Sequence, residues 1–361
     1  MNALQFASFL RSETNRYASD FTLPDYLYDE NGNFDRERTI DLLLSEEYGY
    51  VHDEGVEITV EKTKEPAFCV AEKARETIRF RFTLKKGTRS ASFPVDLFLP
   101  LTEDDNCPLI VNLDFAHEQA HCPVYTIMEQ SVRLAHIYYQ DVTTDNNDFE
   151  NGIAPLLSDR NAPGAAGKIA IWAYAAYIVG RFLLEEGYAK KGSLYVAGHS
   201  RLGKTALLCA ALYPIFDGAH TNASGCSGAA IARDTHGETV KQITTRFPFW
   251  FTPAYEKYSE HEEEMPFDQH YLMALIAPRK ISVVTAEKDA WADTEAQYLC
   301  AEAASVIYEK CGVVGLDRTF GLMKTGDINA KGCIGFSMRH GIHHFNTEDW
   351  IFFIQYIKGL L

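Results

Sequence analysis

G-H-S-R-L-G-K at residues 198–204 is the stretch that decides the fold, because its serine stands where a strand pattern ends and a helix pattern begins. The apolar run at 194–197 predicts a short buried strand, and the alanine- and leucine-rich run at 205–212 predicts a helix. A serine on so sharp a strand-to-helix turn is exposed above the sheet, and the first N–H groups of the helix can stabilise an oxyanion. Ser200 is therefore a candidate nucleophile.

This turn departs from the G-x-S-x-G pattern that hydrolases usually carry at the nucleophile. Leu202 stands at the position of the second glycine, and Gly203 follows one residue later. The alternative interpretation is an ordinary glycine-bounded turn in which the serine only caps the helix. Because short motifs also match by chance, the rest of the chain has to decide between the two interpretations.

Composition and charge exclude several classes of partner. The 361 residues carry 34 Lys and Arg against 50 Asp and Glu, a net charge of −16, without a basic stripe. We therefore expect neither nucleic acid nor an anionic membrane as a partner. No stretch approaches the roughly 18 apolar residues of a membrane span. The N-terminus lacks the pattern of an export signal, which predicts a cytoplasmic location.

The eight cysteines argue against a metal centre. They form no C-x-x-C pair and show no His/Cys spacing of the zinc type. In a chain of this length without an export signal, they are expected to be reduced thiols. Neither a metal nor an organic cofactor is implied, and the sequence does not indicate an oligomeric state.

Two periodicities divide the chain. From 56 to 101, apolar and polar residues alternate with period two, which predicts an antiparallel opening to the sheet. Short apolar strands then alternate with helical segments, which predicts a parallel sheet in an α/β fold. The later strands are predicted at 108–113, 134–139, 193–197, 218–223, 280–285 and 333–338, and the helices at 36–47, 164–186, 294–304 and 349–360. Residues 1–55 are expected to form a helical or irregular extension packed on the core, and residues 56–361 a single domain.

A serine nucleophile needs a base within reach and an acid that orients the base. Asp289 is the candidate acid, because it lies in the turn after the buried strand predicted at 280–285. His343 is the candidate base, because it lies in the loop between the last strand and the final helix. The order Ser, Asp, His is that of the α/β-hydrolase fold. We therefore predict this fold, a three-layer sandwich with a mostly parallel central sheet and an antiparallel N-terminal part.

Each candidate also has a simpler interpretation. Asp289 can be a loop or helix-capping aspartate, although Asp293 is better placed to cap the helix that follows. His343 can be a surface histidine, and His340 and His344 compete with it for the role of base. For all the simple interpretations to hold at once, in this order along the chain, three independent coincidences are needed.

Seven segments of the chain form a specific combination: G-H-S-R-L-G-K-T-A at 198–206, S-G-C-S-G-A-A at 224–230, G-E-T-V at 237–240, F-P-F-W-F at 247–251, P-F-D-Q-H-Y-L-M-A-L-I-A-P-R at 266–279, A-E-K-D-A-W-A-D at 286–293 and G-I-H-H-F-N-T-E-D-W at 341–350. The arginine and lysine after the serine, and the D-x-W pair, are absent from generic lipases and esterases. With these segments the chain resembles, over roughly residues 95–360, the glucuronoyl esterases of carbohydrate esterase family fifteen, in particular its bacterial-type members.

The resemblance implies a serine esterase that acts on carbohydrate esters, with 4-O-methyl-glucuronoyl and other glucuronate esters as substrates. It implies that Ser200 attacks the C6 carbonyl of the uronic acid and releases an alcohol, with Arg201 donating to the oxyanion. By position it also implies that Lys204 and Glu238 bind sugar hydroxyls and that Trp291 covers the sugar site. The implied partner is a small-molecule or oligosaccharide ester.

One position departs from this family. Many members carry a glutamate immediately before the S-G-x-x-G segment and use it as the triad acid, and this chain has Ala223 there. The resemblance therefore leaves Asp289 as the acid and His343 as the base. Two alternatives stay open: a carbohydrate (xylan) acetyl esterase with the same triad, and a non-catalytic sugar-binding protein on a hydrolase scaffold.

Overall fold

The fold is organised around one mixed β-sheet. A computed structural model describes residues 22–65, 74–102, 107–117, 122–233, 235–320 and 323–361. The strands in these ranges are β1 (Glu57–Lys62), β2 (Ala74–Lys86), β3 (Arg89–Pro100), β4 (Leu109–Asp114), β5 (Arg133–Tyr138), β6 (Leu194–His199), β7 (Gly218–Asn222), β8 (Lys280–Ala286), β9 (Ile328–Asn329) and β10 (Ile334–Arg339). Their order across the sheet is β1-β2-β3-β5-β4-β6-β7-β8-β10-β9.

Strand direction changes across the width of the sheet. The neighbours β1, β2, β3 and β5 pair antiparallel. From β5 through β4, β6, β7 and β8 to β10, all neighbours are parallel. The predicted combination of an antiparallel N-terminal part and a mostly parallel centre is confirmed. The edge strand β9, antiparallel to β10, was not predicted, because two residues are too few to show an alternation.

Alternating side chains along each strand supply two separate cores, one on each face of the sheet. In β4, Leu109 and Val111 belong to the larger core, whereas Ile110 belongs to the smaller one. The larger core includes helices Lys168–Glu185, Arg201–Leu212 and Thr294–Lys310, and the smaller includes helices Val124–Glu129 and Thr347–Lys358. The helices on both faces produce the predicted three-layer sandwich.

The predicted helices are all present in the described ranges and differ from the prediction only at their ends, and five short helices that were not predicted occur as well. The helix predicted from residue 164 begins at Lys168, because Ala165 forms an isolated bridge with Tyr50 and Gly167 is extended. The helices are Arg36–Leu43, Val124–Glu129, Tyr139–Val142, Ala154–Leu157, Lys168–Glu185, Arg201–Leu212, Val240–Arg246, His270–Ala274, Thr294–Lys310 and Thr347–Lys358.

The extension predicted at residues 1–55 is described from residue 22 onward, and residues 1–21 lie outside the described ranges. Its helix, predicted at 36–47, is α-helical over Arg36–Leu43 and continues as a π-helical turn over Leu44–Tyr48. The boundary between the extension and the domain stays a prediction.

The end of this helix is anchored in the core by polar contacts over long sequence distances. Glu47 and Tyr48 are both fully buried. The Tyr48 hydroxyl donates to the Ser227 carbonyl at 3.0 Å, and the Gln269 amide donates to the Glu47 carboxylate at 3.0 Å. The extension therefore reaches the turn that follows β7, close to the end of the sheet where Ser200 lies.

Membrane spans and disulfide bonds are both missing from the described part of the chain. No helix there is long and apolar enough to cross a membrane. The seven cysteines in these ranges form no disulfide bonds with one another, and Cys69 lies outside the ranges.

Candidate active site

Ser200 stands alone between β6, which ends at His199, and the helix that begins at Arg201. Its φ of 56° and ψ of −125° are rare for an L-residue and cost about 1–3 kcal/mol. The Ser200 N–H donates to the Asn222 carbonyl at 2.8 Å, which anchors the turn to β7. The sharp turn raises the side chain above the sheet, and the first N–H groups of the helix have no partners within the helix.

Close packing of the backbone explains the displaced second glycine of this turn. A Cβ atom on Gly203 would lie 2.9 Å from the Thr221 hydroxyl oxygen and 3.1 Å from the Ser224 Cβ. Leu202, in contrast, is fully buried in the larger core. The helix therefore approaches β7 at residue 203, and this is the position that requires glycine.

Asp289 and His343 meet beside this turn. One oxygen of the Asp289 carboxylate lies 2.6 Å from His343 Nδ1, and the other accepts the N–H of Ala292 at 3.3 Å. Asp289 is only 4% exposed, so water screens its charge weakly. An acceptor at Nδ1 holds the imidazole in the tautomer whose Nε2 can act as a base. The structure thus brings together the residues predicted as acid and base.

Ser200 and His343 open into one cavity of about 160 Å³. In the described part of the chain, the His343 side chain bonds to Asp289 and not to the Ser200 hydroxyl. Such catalytic hydrogen bonds are often long in unliganded enzymes and tighten with substrate. The lining residues are Ser200, Arg201, Lys204, Ala223, Ser224, Gly225, Glu238, Arg246, Phe247, Trp250, Trp291, Ala292 and His343.

The residues considered as alternatives for the acid and the base take other partners. Asp293 accepts the N–H of Ala296 at 3.0 Å and caps the following helix, as predicted. His340 is exposed, with its Nδ1 3.1 Å from the Glu287 carboxylate. His344 is also exposed, and neither of these histidines lines the cavity.

Lys204 and Glu238 form one wall of the cavity, and both are buried. The Lys204 ammonium donates to the carbonyls of Ser224 and Cys226, each at 2.5 Å, and lies 3.8 Å from the Glu238 carboxylate. Burial lowers the pKa of Lys204, and the nearby Glu238 charge opposes that shift. An ammonium has three donors, so two are engaged by the backbone and one remains for Glu238 or a ligand.

Arg201 is held in place by an acid and an aromatic ring that were not predicted. Its guanidinium donates to Asp145 and lies 4.6 Å from the centre of the Trp250 ring. Asp145 also accepts the Trp250 indole N–H at 2.7 Å and the Tyr139 hydroxyl at 2.9 Å. The Arg201 side chain is therefore fixed at the edge of the cavity, next to Ser200.

Trp291 and Ala223 complete the walls that the sequence singled out. Trp291 is 43% exposed at the cavity, and its carbonyl accepts the N–H of Glu238 at 2.9 Å. Ala223 lines the cavity with a φ of 48°. Its methyl group cannot accept a hydrogen bond, so it cannot orient a histidine. Asp289 is the carboxylate bonded to His343.

Arg339 holds the loop that carries His343, and this contact was not predicted. Its guanidinium donates to three backbone carbonyls within the segment 340–344. Its Nε donates to the Asp349 carboxylate at 2.8 Å. A planar guanidinium with five donors can bind several acceptors at once, which restrains the loop on both sides of the imidazole.

A ring contact and two hydrogen bonds also connect the His343 imidazole to the Asp349 carboxylate. The His199 ring lies 4.5 Å from the His343 ring. The His199 Nδ1 is 2.6 Å from the Asn222 side-chain oxygen, and the Asn222 amide donates to Asp349 at 3.0 Å. Both sides of the His343 loop are therefore tied to one buried carboxylate.

The sheet order, the strained turn at Ser200 and the bond between Asp289 and His343 define an α/β-hydrolase with a serine-type site. A family model described as glucuronyl esterase of fungi matches residues 82–312. The chain belongs to the glucuronyl esterase family, as its resemblance to that family predicted.

Individual relatives agree with this assignment. A carbohydrate esterase of an unknown prokaryotic organism is 36% identical over 229 residues, which are 62% of this chain and 52% of the relative. The 4-O-methyl-glucuronoyl methylesterase of Podospora anserina is 27% identical over 257 residues, 68% of this chain and 51% of the relative. The chain spans about half the length of these curated relatives.

Solved structures match nearly the whole chain. A glucuronoyl esterase from Solibacter usitatus is similar with a TM-score of 0.83 at 26% identity, over 95% of this chain and 99% of that one. A promiscuous family-fifteen esterase from a marine bacterial metagenome has a TM-score of 0.81 at 26% identity, over 95% of this chain and 98% of that one. The predicted α/β-hydrolase fold is confirmed.

Proposed function

We propose that this protein is a serine-dependent carboxylic ester hydrolase that cleaves glucuronate esters of carbohydrates. The observation that carries the proposal is the 2.6 Å contact between Asp289 and His343, beside a strained serine in a shared cavity. The wall formed by Lys204 and Glu238 supports a hydroxylated substrate, because both groups can bind hydroxyls.

In the proposed reaction, Ser200 Oγ attacks the ester carbonyl carbon while His343 Nε2 takes the hydroxyl proton. The tetrahedral intermediate collapses, the bond to the alcohol oxygen breaks, and His343 returns the proton to that oxygen. Water then attacks the acyl-enzyme by the same route, which releases glucuronate and restores the serine. Asp289 keeps the proton on Nδ1 throughout and stabilises the imidazolium.

The oxyanion forms above the start of the helix that begins at Arg201. Backbone N–H groups there have no intrahelical partners, and the helix dipole favours negative charge at this end. The Arg201 guanidinium adds a positive charge at the cavity edge, in an orientation set by Asp145. Donors that are fixed before the reaction stabilise developing charge without reorganisation.

Substrate choice follows from which side of the ester the cavity binds. A glucuronoyl group presents hydroxyls that can pair with Glu238 and with the remaining donor of Lys204, beside Trp291. An acetyl group offers no hydroxyl to Glu238 or to the remaining donor of Lys204, and a site that binds hydroxyls discriminates strongly against analogues that lack them. The curated relatives named as 4-O-methyl-glucuronoyl methylesterases support the glucuronate ester as substrate.

Two measurements test the proposal. A fluorophosphonate probe should label the wild-type chain at Ser200 and leave Ser200→Ala unlabelled, whereas no labelling of the wild type would favour a non-catalytic sugar-binding protein. The kcat/KM for benzyl glucuronate should then exceed that for an aryl acetate. A clear preference for the acetate would instead identify an acetyl esterase.

A further inference from the structure

A second cavity, of about 680 Å³, lies at the opposite end of the sheet from Ser200. Pro214, Pro278 and Arg279 in its lining come before β7 and β8, whereas the active-site residues follow their strands. Because β7 and β8 are parallel, the loops before them and after them lie at opposite ends. The two cavities are therefore separate, and the proposed esterase reaction makes no use of this one.

The lining of this second cavity is basic and apolar. Arg36, Arg279 and Lys310 line it together with Phe34 and Ile307, and none of its described lining residues is acidic. The whole chain carries a net charge of −16. This concave surface has three cations and no acid among its described lining residues, although the chain as a whole is negative. It therefore produces a local positive potential.

Two of these cations contact groups that orient them without neutralising them. The Arg279 guanidinium donates to the backbone carbonyls of Phe216 at 2.8 Å and Leu275 at 3.3 Å. The Lys310 ammonium lies 4.5 Å from the centre of the Tyr28 ring. Carbonyls and ring faces attract a cation but carry no net charge. The positive charge of both side chains is still available to a ligand.

Arg36 is a cation at an electrostatically unfavourable position. It is the first residue of the helix Arg36–Leu43, where the helix dipole favours acids. The neighbouring Asp35 is engaged elsewhere, since it accepts the N–H of Arg38 at 3.1 Å and lies 3.7 Å from the Arg38 guanidinium. An anion placed at Arg36 would also interact favourably with this end of the helix.

Arg36 and Arg279 also repel one another. The pKa of each guanidinium is lowered, and burial is the largest cause for both. After burial, the charge of Arg36 is the next largest cause that lowers the pKa of Arg279. It has a larger effect than either Tyr308 or Asp217, which raise that pKa. Two like charges are thus held near each other and partly out of water, so an anion between them would relieve the repulsion.

We propose that this cavity binds a small organic anion, with a phosphate or carboxylate head between Arg36 and Arg279 and an apolar body against Phe34 and Ile307. Guanidinium groups match the geometry of both kinds of oxyanion. The volume of about 680 Å³ falls within the range of small-molecule sites, about 300–1,000 Å³.

Titration calorimetry on the full chain tests the proposal with three probes of the same ring: phenyl phosphate, benzoate and phenol. We expect at least one of the two anions to bind with one site per chain, and the tighter of them identifies the head group. Phenol, which lacks the anionic head, should bind at least tenfold more weakly. A chain that binds neither anion, or that binds phenol equally well, would overturn the proposal.

Arg36→Gln locates the bound anion, and Arg38→Gln is its matched control on the same helix. Arg36→Gln should weaken binding about tenfold or more, because charge-assisted hydrogen bonds to the anion are lost. Arg38→Gln should bind like the wild type. If Arg36→Gln fails to fold, Lys310→Gln alters an exposed side chain of the same cavity and should weaken binding at least threefold. Equal affinities for Arg36→Gln, Lys310→Gln and the control would place the anion elsewhere and reject this site.

Discussion

The cations at the two ends of the sheet have different partners. At the end with Ser200, three cations face carboxylates, in the pairs Arg201–Asp145, Lys204–Glu238 and Arg339–Asp349, and Arg246 lies over the rings of Phe247 and Trp291. At the opposite end, Arg36 and Arg279 repel each other in a cavity whose described lining residues include no acid. A carboxylate fixes the direction of its partner cation and offsets part of its charge, whereas a cation without an acidic partner keeps its full attraction for an incoming anion. The paired cations near Ser200 therefore position neighbouring groups, whereas the charges of Arg36 and Arg279 are left available for binding an anion.

The largest effects are expected from variants of Ser200 and His343, which test whether ester hydrolysis takes place at this end of the sheet. Ser200→Ala and His343→Ala should each lower kcat for benzyl glucuronate about 10³-fold or more, because triad members act as a unit. His340→Ala is the matched control, since this exposed side chain bonds to Glu287 away from the cavity, and its kcat should stay near that of the wild type. A normal kcat for His343→Ala, with a loss in the control or in His344→Ala, would assign the base elsewhere.

Asp289→Asn separates the acid from the neighbouring helix cap. It should lower kcat about 10²-fold or more, because an amide does not support the required imidazole tautomer. Asp293→Asn should keep kcat and lower the free energy of unfolding by about 1–2 kcal/mol, since Asp293 caps a helix and also accepts the N–H of His236. Steady-state kinetics and urea denaturation measure the two effects. A similar fall in kcat for both variants would show that Asp289 has no special role.

Glu238→Gln removes the carboxylate from one of the pairs while keeping its size. The kcat/KM for benzyl glucuronate should fall about 10- to 100-fold and that for an aryl acetate much less, because only the glucuronate has hydroxyls that the Glu238 carboxylate can bind. Glu238→Gln is a cleaner test than Lys204→Ala, because Lys204 also binds the carbonyls of Ser224 and Cys226. Equal losses on both substrates would indicate a structural role and favour the acetyl esterase.

Glu238→Gln should also shift the pH dependence of kcat/KM in one direction. Glu238 is the strongest influence that raises the pKa of Lys204 against the effect of burial. Without that charge the ammonium loses its proton at lower pH, so the alkaline limb of the kcat/KM profile for glucuronate should move to lower pH. An unchanged profile, measured with the wild type as control, would show that Lys204 does not contribute to binding.

Arg339→Lys is expected to have the smallest effect, and it tests positioning. Lysine can still pair with Asp349 but cannot donate to three carbonyls in a fork, so kcat should fall about tenfold with little change in KM. Arg233→Lys is the matched control, because Arg233 pairs with Asp268 and also binds carbonyls of another loop. Both variants should lower stability, but only Arg339→Lys should lower kcat. Equal kcat values would show that the Arg339 contacts are only structural.

The parts of the molecule that could be predicted are those with a local signal. The parallel strands around Ser200 are short apolar runs, so their positions follow from periodicity alone. Asp289 and His343 were found because strand ends of a parallel sheet meet at one edge, which restricts where a triad can form.

The partners of the cations could not be predicted, because nothing local marks them. Asp145 lies 56 residues from Arg201 in sequence, in an irregular segment with several other acidic and amide side chains. Arg339 follows a strand pattern and gives no sign that it binds carbonyls of the next loop. Contacts of this kind depend on where the native fold places the loops. They produce no periodic pattern in the sequence from which they could be predicted.

The long-range contacts of Glu47 and Tyr48 have a consequence for the order of folding. Tyr48 bonds to Ser227 across 179 residues, and Glu47 bonds to Gln269 across 222 residues. During synthesis Glu47 and Tyr48 leave the ribosome well before Ser227 and Gln269, so they have no native partners until these later residues follow. Closing such long loops is entropically costly, so their docking belongs to the late steps of assembly. Glu47 and Tyr48 are thus made well before their partners, yet they are among the last residues to reach their native places.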